Sequence, residues 1–456
     1  MVFNSDIFLF VFFPVVYLLF WSFQGKRERY LLLGAAGYVF YGWWNWRFCF
    51  LLLFSSLVSF FTGIAIDSSP NRATARRWMA LAISVDLALL GFFKYYNFFA
   101  STVHHFVPHS SLPILNIVLP IGISFYTFHT ISYVIDVYQG KIKATRNLPE
   151  YLTYVNLFSQ LVAGPIVRFR EIEEDLERID GPPRNDWTAR GLGFFVVGLI
   201  KKVVIADHLA AIVDPMLKQY ASMSFADSWI AILGYTGQIY FDFSGYSDMA
   251  VGLGYLFALR IPQNFNSPYR ASGITDFWRR WHMSLSRWLR DYLYISLGGS
   301  RSGAARTYIN LMLTMLLGGL WHGANWTFVV WGGYHGALLI LDRVAGRFYE
   351  KLPAVLYRAQ TMLLVMIGWV FFRSDTFTMA RTWLAKMFLP SLSGVTLNWH
   401  SVAWLALAAA WTYGLPETWD LRFGTSYRWA PAYAMGLVFA YFLMNGRETV
   451  FLYFQF

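Results

Sequence analysis

A histidine stands near the middle of a long stretch that carries no charge. No Asp, Glu, Lys or Arg lies between Arg306 and Asp342, and His322 belongs to the sequence GGLWHGAN that ends at Asn325. An imidazole can take up and return a proton near neutral pH, which suits general acid–base catalysis. Ionisable side chains at membrane depth mark functional sites by default. The alternative is that His322 only hydrogen-bonds a neighbouring helix.

A second histidine and a basic surface precede this stretch. At about 100° per residue, DFWRRWHMSLSRWLRDY (276–292) predicts one amphipathic helix at the membrane interface. His282 shares the aromatic face with Trp278 and Leu285, so we expect it to point inward. The opposite face either anchors to lipid headgroups or docks an anionic donor, and these two roles are compatible. Its arginines are Arg279, Arg280, Arg287 and Arg290.

Two carboxylates, Asp242 and Asp248, interrupt an apolar run. An unpaired buried charge is costly, so each needs a partner. They either pair with Lys or Arg as structural struts or orient a catalytic histidine. Lys201 and Lys202 interrupt another apolar run, where they snorkel to the interface or line a polar cavity.

Several familiar catalytic patterns are absent. The sequence contains no GxSxG, HExxH, GxxxxGK[ST] or HxxxxD, which argues against serine hydrolases, zincins, P-loop ATPases and soluble-type His-Asp acyltransferases. A loop with three histidines could bind a metal, but solvated loop histidines are commoner and no metal site is predicted. That loop contains His104, His105 and His109. The other histidines are predicted to be hydrogen-bond partners between helices: His129, His208, His335 and His400.

The composition indicates which elements must position these groups. The 456 residues are 57% hydrophobic and 14% charged, with a mean hydropathy of +0.41, which is typical of a polytopic helical membrane protein. The net charge of +11 resides in short loops, where the positive-inside rule explains it, so nucleic acid is not predicted as a partner. The first Lys is Lys26, so the opening apolar run is predicted to be a retained span.

Apolar runs predict about ten spans, with the N-terminus outside, in one integral domain covering 1–456. The segment 151–167 is predicted to enter the membrane without crossing, 168–190 to form a surface helix broken at Gly181-Pro182-Pro183, and 258–306 to be a cytoplasmic or interfacial basic insert. Loop charges favour a hairpin for the His-bearing segment 307–341, with its turn near 318–325. The runs lie at about 7–23, 31–46, 48–66, 78–98, 113–138, 191–216, 226–257, 353–373, 398–414 and 428–445.

A family resemblance joins these motifs. The succession LPIGISFYTFHTISYVIDVY (119–138), LVAGPIVRF (161–169), YFDFSGYSDMAVGLG (240–254), NFNSPY (264–269), FWRRWHMSLSRWLRDYLYISLGG (277–299) and LTMLLGGLWHGANWTFVVWGGYHG (313–336) resembles the membrane-bound O-acyltransferase (MBOAT) family. The likeness covers nearly the whole chain. It is strongest to the alginate O-acetylation branch and more distant to the teichoic acid D-alanylation branch. The chain departs from the alginate branch in a shorter region before the final span, which leaves the acceptor polymer open.

The resemblance implies an all-α polytopic MBOAT fold in the bacterial inner membrane. It places the family's catalytic histidine on His322 and its other recurrent histidine on His282. It implies acetyl transfer from a cytoplasmic thioester, acetyl-CoA or an acylated carrier, toward an exported alginate- or cellulose-like polysaccharide, with no bound cofactor. Its expected partners are the lipid bilayer, the donor, periplasmic acetyltransferases and the exopolysaccharide machinery.

The residues and the resemblance together give a mechanistic hypothesis. His322 acts as general base toward a hydroxyl, and His282, Asn325 or a backbone N–H of the glycine-rich break stabilises the oxyanion. Asp242 and Asp248 are supporting candidates. Tyr453 either relays the acyl group outward or serves as an interfacial aromatic anchor. The alternatives from other classes are a proton- or ion-coupled transporter and a scaffold that recruits periplasmic enzymes.

Overall fold

The computed structural model describes residues 1–349, 352–389, 399–444 and 451–452. The regular structure within these ranges is helical throughout, with no strand. Lipid offers no hydrogen-bond partner to the backbone, and a helix satisfies its own backbone groups internally. The prediction of an all-α protein is confirmed.

Among the residues that the structure describes, three helical segments are long enough and apolar enough to cross a membrane. They are Phe48–Asp67, Arg72–Phe106 and Ala354–Arg373. Phe8–Ser22 and Ala430–Met444 are apolar but shorter. The predicted total of about ten spans stays a prediction.

The chain divides into two compact units, and each is built from separated stretches of sequence. The first comprises residues 1–195, 249–262 and 423–427, and the second comprises 196–248, 263–422 and 428–456, in each case as far as the chain is described. The prediction of one integral domain stays a prediction. The first unit contains α1 (Phe13–Ser22), α2 (Lys26–Asn45), α3 (Phe48–Asp67), α4 (Arg72–Leu90), α5 (Tyr96–Phe106), α6 (Ile123–Tyr138), α7 (Leu148–Asn156), α8 (Phe169–Glu177) and most of α9 (Asn185–Ile200).

Helix α6 is the most enclosed helix of the first unit, with nearly all its side chains buried. It begins at Ile123, so the prediction of a helix over 113–138 is wrong for 113–122. The physical reason is local, since Pro120 has no backbone N–H and Gly122 adopts φ +77°. A Cβ at position 122 would come 2.6 Å from the carbonyl oxygen of Leu161.

The polar segment after residue 168 folds as predicted, as a helix followed by a turn. Helix α8 ends at Glu177, and the turn at 178–184 separates it from α9. Arg29 closes this turn by donating to the carbonyl oxygens of Ile179 and Gly181. These bonds satisfy carbonyls of the turn itself, which lies outside the helical hydrogen-bond pattern.

The second unit holds the residues of the candidate functional site. A π-helical segment, Lys201–Ala206, joins α9 to the helix that follows it. Another, Leu289–Tyr294, continues α13. The helices are α10 (Asp207–Lys218), most of α11 (Phe225–Leu256), α12 (Ile274–Arg280), α13 (Met283–Trp288), α14 (Gly303–His322), α15 (Trp326–Tyr349), α16 (Ala354–Arg373), α17 (Phe377–Phe388), α18 (Trp399–Gly414) and α19 (Ala430–Met444).

The charge-free stretch forms the expected helical hairpin. Helix α14 ends at His322, and α15 begins at Trp326 after a three-residue connection. Glycines let the two backbones approach closely, because a Cβ at Gly319 would lie 2.3 Å from the Phe328 carbonyl oxygen and one at Gly332 would lie 2.2 Å from that of Met315. Small residues at such interfaces are typical of helix packing in membranes.

The prediction of one continuous helix over 276–292 is wrong. Helix α12 ends at Arg280 and α13 begins at Met283, because Trp281 is extended and His282 adopts φ 44°, ψ 53°. The left-handed conformation stops the α-helical hydrogen-bond pattern at this point. The expectation that His282 points inward is confirmed, since its exposure is 0%.

Candidate functional site

A cavity of about 340 Å³ lies in the second unit, and His322 forms part of its wall. The cavity is apolar over most of its lining and basic at three positions. The basic residues are Arg279, Arg290 and Arg343. The apolar ones include Leu285, Leu289, Leu311, Met315, Trp331 and Leu339. Such a lining suits a ligand with an anionic part and a long, weakly polar part.

Aromatic rings hold His322 at the end of α14. The imidazole centroid lies 4.9 Å from Trp321, 5.1 Å from Trp331 and 5.2 Å from Phe372. All three contacts are tilted by at least 71°, the edge-to-face geometry that aromatic pairs prefer. This enclosure restricts the motion of the ring and shields it from bulk solvent.

His282 lies next to His322, with ring centroids 6.4 Å apart. Nδ1 of His282 is 3.1 Å from Oδ1 of Asn264. Nε2 is buried and has no hydrogen-bond partner among the described residues. Burial lowers the pKa of His282 to about 3, because removal from water penalises the charged ring. The ring is therefore neutral at physiological pH.

Asn325 caps α15. Its Oδ1 accepts from the backbone N–H of Thr327 at 3.0 Å, and its Nδ2 donates to the carbonyl oxygen of Asp375 at 2.9 Å. These bonds fix the turn directly after His322. In this arrangement the amide supports the site by positioning that turn, and a direct role toward an oxyanion stays a prediction.

Asp242 and Asp248 both form buried ion pairs with lysines. These are the contacts expected if the two carboxylates serve as structural struts. Lys202 Nζ lies 2.6 Å from Asp242 and 2.8 Å from Asp207. Lys201 Nζ lies 2.7 Å from Asp248 and 3.4 Å from Glu417. Buried charges paired in this way are strongly interdependent. Lys201 and Lys202 are thus buried and paired.

Sequence reasoning missed the part that Glu417 plays in this cluster. Its carboxylate also accepts from Tyr240 Oη at 3.1 Å and from the backbone N–H of Ser267 at 2.8 Å. The available signal was an acidic residue in LPETWD, between two apolar runs. Its partners could not be read because they are far away in sequence.

Asp242 also contacts Leu452, near the end of the chain. The backbone N–H of Leu452 donates to Asp242 Oδ2 at 2.9 Å. The ring of Phe451 stacks on Tyr246 at 4.7 Å and lies 5.7 Å from Phe243. Phe243 in turn meets His282 edge to face at 4.6 Å. Tyr453, the predicted relay residue, lies outside the described residues.

The four predicted docking arginines occupy different environments. Arg279 and Arg290 are exposed and line the cavity, whereas Arg280 and Arg287 are half-buried. Arg280 pairs with Asp276 at 2.8 Å, and Arg290 pairs with Asp291 at 2.7 Å. Arg343 joins Arg279 and Arg290 at the cavity. It was missed as a docking candidate because the sequence does not show which side chains of α15 lie beside α12 and α13.

The other histidines are dispersed. His335 accepts from Trp278 Nε1 at 3.4 Å, and His104 Nε2 lies 2.6 Å from the carbonyl oxygen of Leu112. In the part of the chain that the structure describes, no group of three or more His, Cys, Asp or Glu side chains could hold a metal ion.

A helical membrane protein with two adjacent buried histidines beside an apolar, arginine-bearing cavity has the features of a membrane-embedded group-transfer enzyme. The profile of the MBOAT, membrane-bound O-acyltransferase, family matches residues 39–374. The chain belongs to this family, and it is a membrane-bound acyltransferase.

Individual relatives agree with the family assignment. A probable alginate O-acetylase AlgI from Pseudomonas aeruginosa is 45% identical over 428 residues, covering 90% of this chain and 81% of the relative. The peptidoglycan O-acetyltransferase of Helicobacter pylori is 38% identical, covering 87% of this chain and 81% of the relative. The teichoic acid D-alanyltransferase of Bacillus subtilis is 27% identical, covering 59% and 68%.

Proposed function

We propose that this protein is an O-acetyltransferase of the bacterial inner membrane. It takes an acetyl group from a cytoplasmic thioester and passes it toward an exported polysaccharide or a periplasmic partner. The observation that carries the proposal is the cavity that is lined by both His322 and three arginines, Arg279, Arg290 and Arg343. The relatives at 38–45% identity, which are named as O-acetylating enzymes, support the acetyl group.

The cavity has a basic part and an apolar part in its lining, and each fits one part of a thioester donor. Arginines recognise phosphates and carboxylates by charge and by their planar donors. Leucine, methionine and tryptophan side chains favour the weakly polar arm that carries a thioester. Acetyl-CoA and an acetylated carrier protein both combine an anionic part with such an arm. The excess of arginine over acidic residues in 270–306 favours entry from the cytoplasm.

The reaction moves one proton and replaces one bond at the thioester carbonyl carbon. The acceptor oxygen attacks the thioester carbonyl carbon while a neutral histidine takes the hydroxyl proton. The C–O bond forms, the C–S bond breaks, and the proton passes to the departing thiolate. His322, which lines the cavity, is the proposed base. The adjacent His282 supports this proton transfer.

Reconstitution tests the function directly. In proteoliposomes, we expect label to move from a radiolabelled acetyl thioester to a soluble polysaccharide acceptor with free hydroxyls, in the presence of the periplasmic partners. Acetyl-CoA and an acetylated carrier protein serve as parallel donors. No transfer from either donor would refute the proposal.

Replacing Arg279 and Arg290 by Gln should raise the KM for the donor, because both side chains line the cavity. The increase should shrink at high salt, since screening weakens the attraction that is lost. Steady-state transfer at two ionic strengths measures this change. Arg76→Gln with Arg77→Gln is the matched control, because these arginines are also exposed but do not line the cavity. An unchanged donor KM would leave headgroup anchoring as their role.

Tyr453 is proposed as an acyl relay. Support comes from the residue before it, Leu452, whose N–H donates to Asp242. The ring of Phe451 also contacts Phe243, which in turn contacts His282. The phenol oxygen would attack the thioester carbonyl carbon while its proton passes through His322 to the departing thiolate. The exported hydroxyl would then attack the tyrosyl ester and release the phenol with its proton restored.

Tyr453→Phe should abolish transfer to the polysaccharide, because it removes the hydroxyl and keeps the ring. Mass spectrometry of the C-terminal peptide during turnover should show acetyl on Tyr453, and this signal should disappear in His322→Ala. Tyr441→Phe is the control for loss of an exposed tyrosine hydroxyl. Full transfer by Tyr453→Phe would identify the residue as an aromatic anchor only.

A further inference from the structure

Asn264 of the NFNSPY motif is buried beside the histidine pair, with an exposure of 1%. Its Oδ1 accepts from the backbone N–H of Ser284 at 3.2 Å and from Ser284 Oγ at 2.8 Å. Its Nδ2 donates to Ser247 Oγ at 3.0 Å. A backbone N–H can only donate, so the oxygen of the amide must face Ser284 and His282.

This orientation determines the tautomer of His282. Oδ1 of Asn264 has no hydrogen, so Nδ1 of His282, 3.1 Å away, must donate to it. In a neutral imidazole only one nitrogen carries hydrogen. Nε2 is therefore an acceptor with a free lone pair, and it has no partner in the described part of the chain.

The backbone around His282 is held by the same residue. His282 adopts φ 44°, a conformation that is costly for a side-chain-bearing residue and persists only where the surroundings enforce it. The carbonyl oxygen of Asn264 accepts from the N–H of Met283 at 2.9 Å, while its side chain accepts from Ser284. Asn264 thus fixes both the direction and the protonation pattern of the ring.

We propose that Asn264 is a positioning residue that keeps His282 in the Nδ1–H tautomer, so that Nε2 can take up, by way of His322, the proton that leaves the acceptor hydroxyl and return it for the departing thiolate. This inference rests on the proposed function. It assigns His282 a proton-accepting role and removes it as an oxyanion donor, since a lone pair cannot donate a hydrogen bond to an oxyanion.

Few titratable groups face His282. His322 of α14 is the ionisable neighbour in ring contact, at 6.4 Å. Phe243 of α11 and Trp321 of α14 pack against the ring without charge. Asp242 and Asp248 of α11 are neutralised by Lys202 and Lys201.

The test reads the tautomer without relying on turnover. In protein labelled with ¹⁵N-histidine and reconstituted in bilayers, solid-state NMR should show His282 protonated at Nδ1 and bare at Nε2. His282→Gln identifies the signal by removing it. A wild-type ring protonated at Nε2 would overturn the proposal whether or not acetyl transfer is observed.

Asn264→Asp supplies the second readout. The new carboxylate would accept from Ser284 and favour the imidazolium form of His282, raising the pKa of the ring. The acid limb of the pH–rate profile should move up by about one unit or more, so activity at acidic pH falls below that of wild type and is regained at higher pH. An unshifted limb in this folded variant would contradict the proposal.

Two further variants separate positioning from folding. Asn266→Asp makes the same chemical change at an exposed site two residues away and should leave the profile unchanged. Asn264→Leu, of similar size, removes the acceptor. It should lower kcat about 10–100-fold with little change in the donor KM. Unchanged kcat in Asn264→Leu would exclude the positioning role, even if Asn264→Asp failed to fold. Absence of transfer by wild type would instead refute the proposed function. The NMR measurement of the His282 tautomer would still test the role of Asn264, because it does not depend on acetyl transfer.

Discussion

Replacing His322 by Ala is expected to lower acetyl transfer by about 10²–10⁴-fold, the range that a general base contributes. His322 lines the cavity and is enclosed by Trp331 and Phe372, so no water-exposed base can take its place easily. The adjacent His282 is buried, and its proposed role is to support the proton transfer that His322 begins. The rate of label transfer in proteoliposomes measures the effect.

The control for His322→Ala must separate chemistry from folding. His105→Ala removes an exposed histidine and should transfer at the wild-type rate. Elution of His322→Ala as a single species in detergent would establish that it is folded. Equal transfer by wild type and a folded His322→Ala would remove His322 from the catalytic mechanism.

Replacing Lys202 by Met should destabilise the protein by about 3–5 kcal/mol, the cost of stranding a buried charge. Lys202 contacts Asp242 and Asp207, whose side chains are 3% and 16% exposed. Without the ammonium group the carboxylates repel each other and lose their counterion. The same substitution should loosen the C-terminal segment, because Asp242 accepts from Leu452. Thermal unfolding in detergent, followed by tryptophan fluorescence, measures the first effect.

Charge pairing makes a specific prediction for the double variant. Lys202→Met with Asp242→Asn removes one stranded charge and should recover part of the lost stability. Lys26→Met removes a lysine that lies 3.9 Å from Asp180 at an exposed site and should cost about 1 kcal/mol or less. An unfolding midpoint of Lys202→Met equal to that of wild type would show that the buried pair contributes nothing.

The sequence predicted the helical elements correctly where neighbouring residues in the chain determine the structure. The apolar stretch after Arg306 became a hairpin with its turn at 323–325, as loop charges required. The helix over 276–292 was broken at His282, although its periodicity was continuous. Asn264, 18 residues earlier, accepts hydrogen bonds from His282 and Met283. These contacts outweigh local helix propensity there, and propensity alone cannot report them.

By itself, the sequence determined that this is an all-α membrane protein and named His322 and His282 as candidate site residues, because hydropathy, charge and motif identity are properties of the linear chain. Only the tertiary structure decided which groups meet. Lys201 reaches Glu417 across 216 residues, Arg343 joins the arginines of an earlier segment at the cavity, and Asn264 sets the tautomer of His282. Each of these relations depends on close packing between distant segments, and no local pattern encodes that packing.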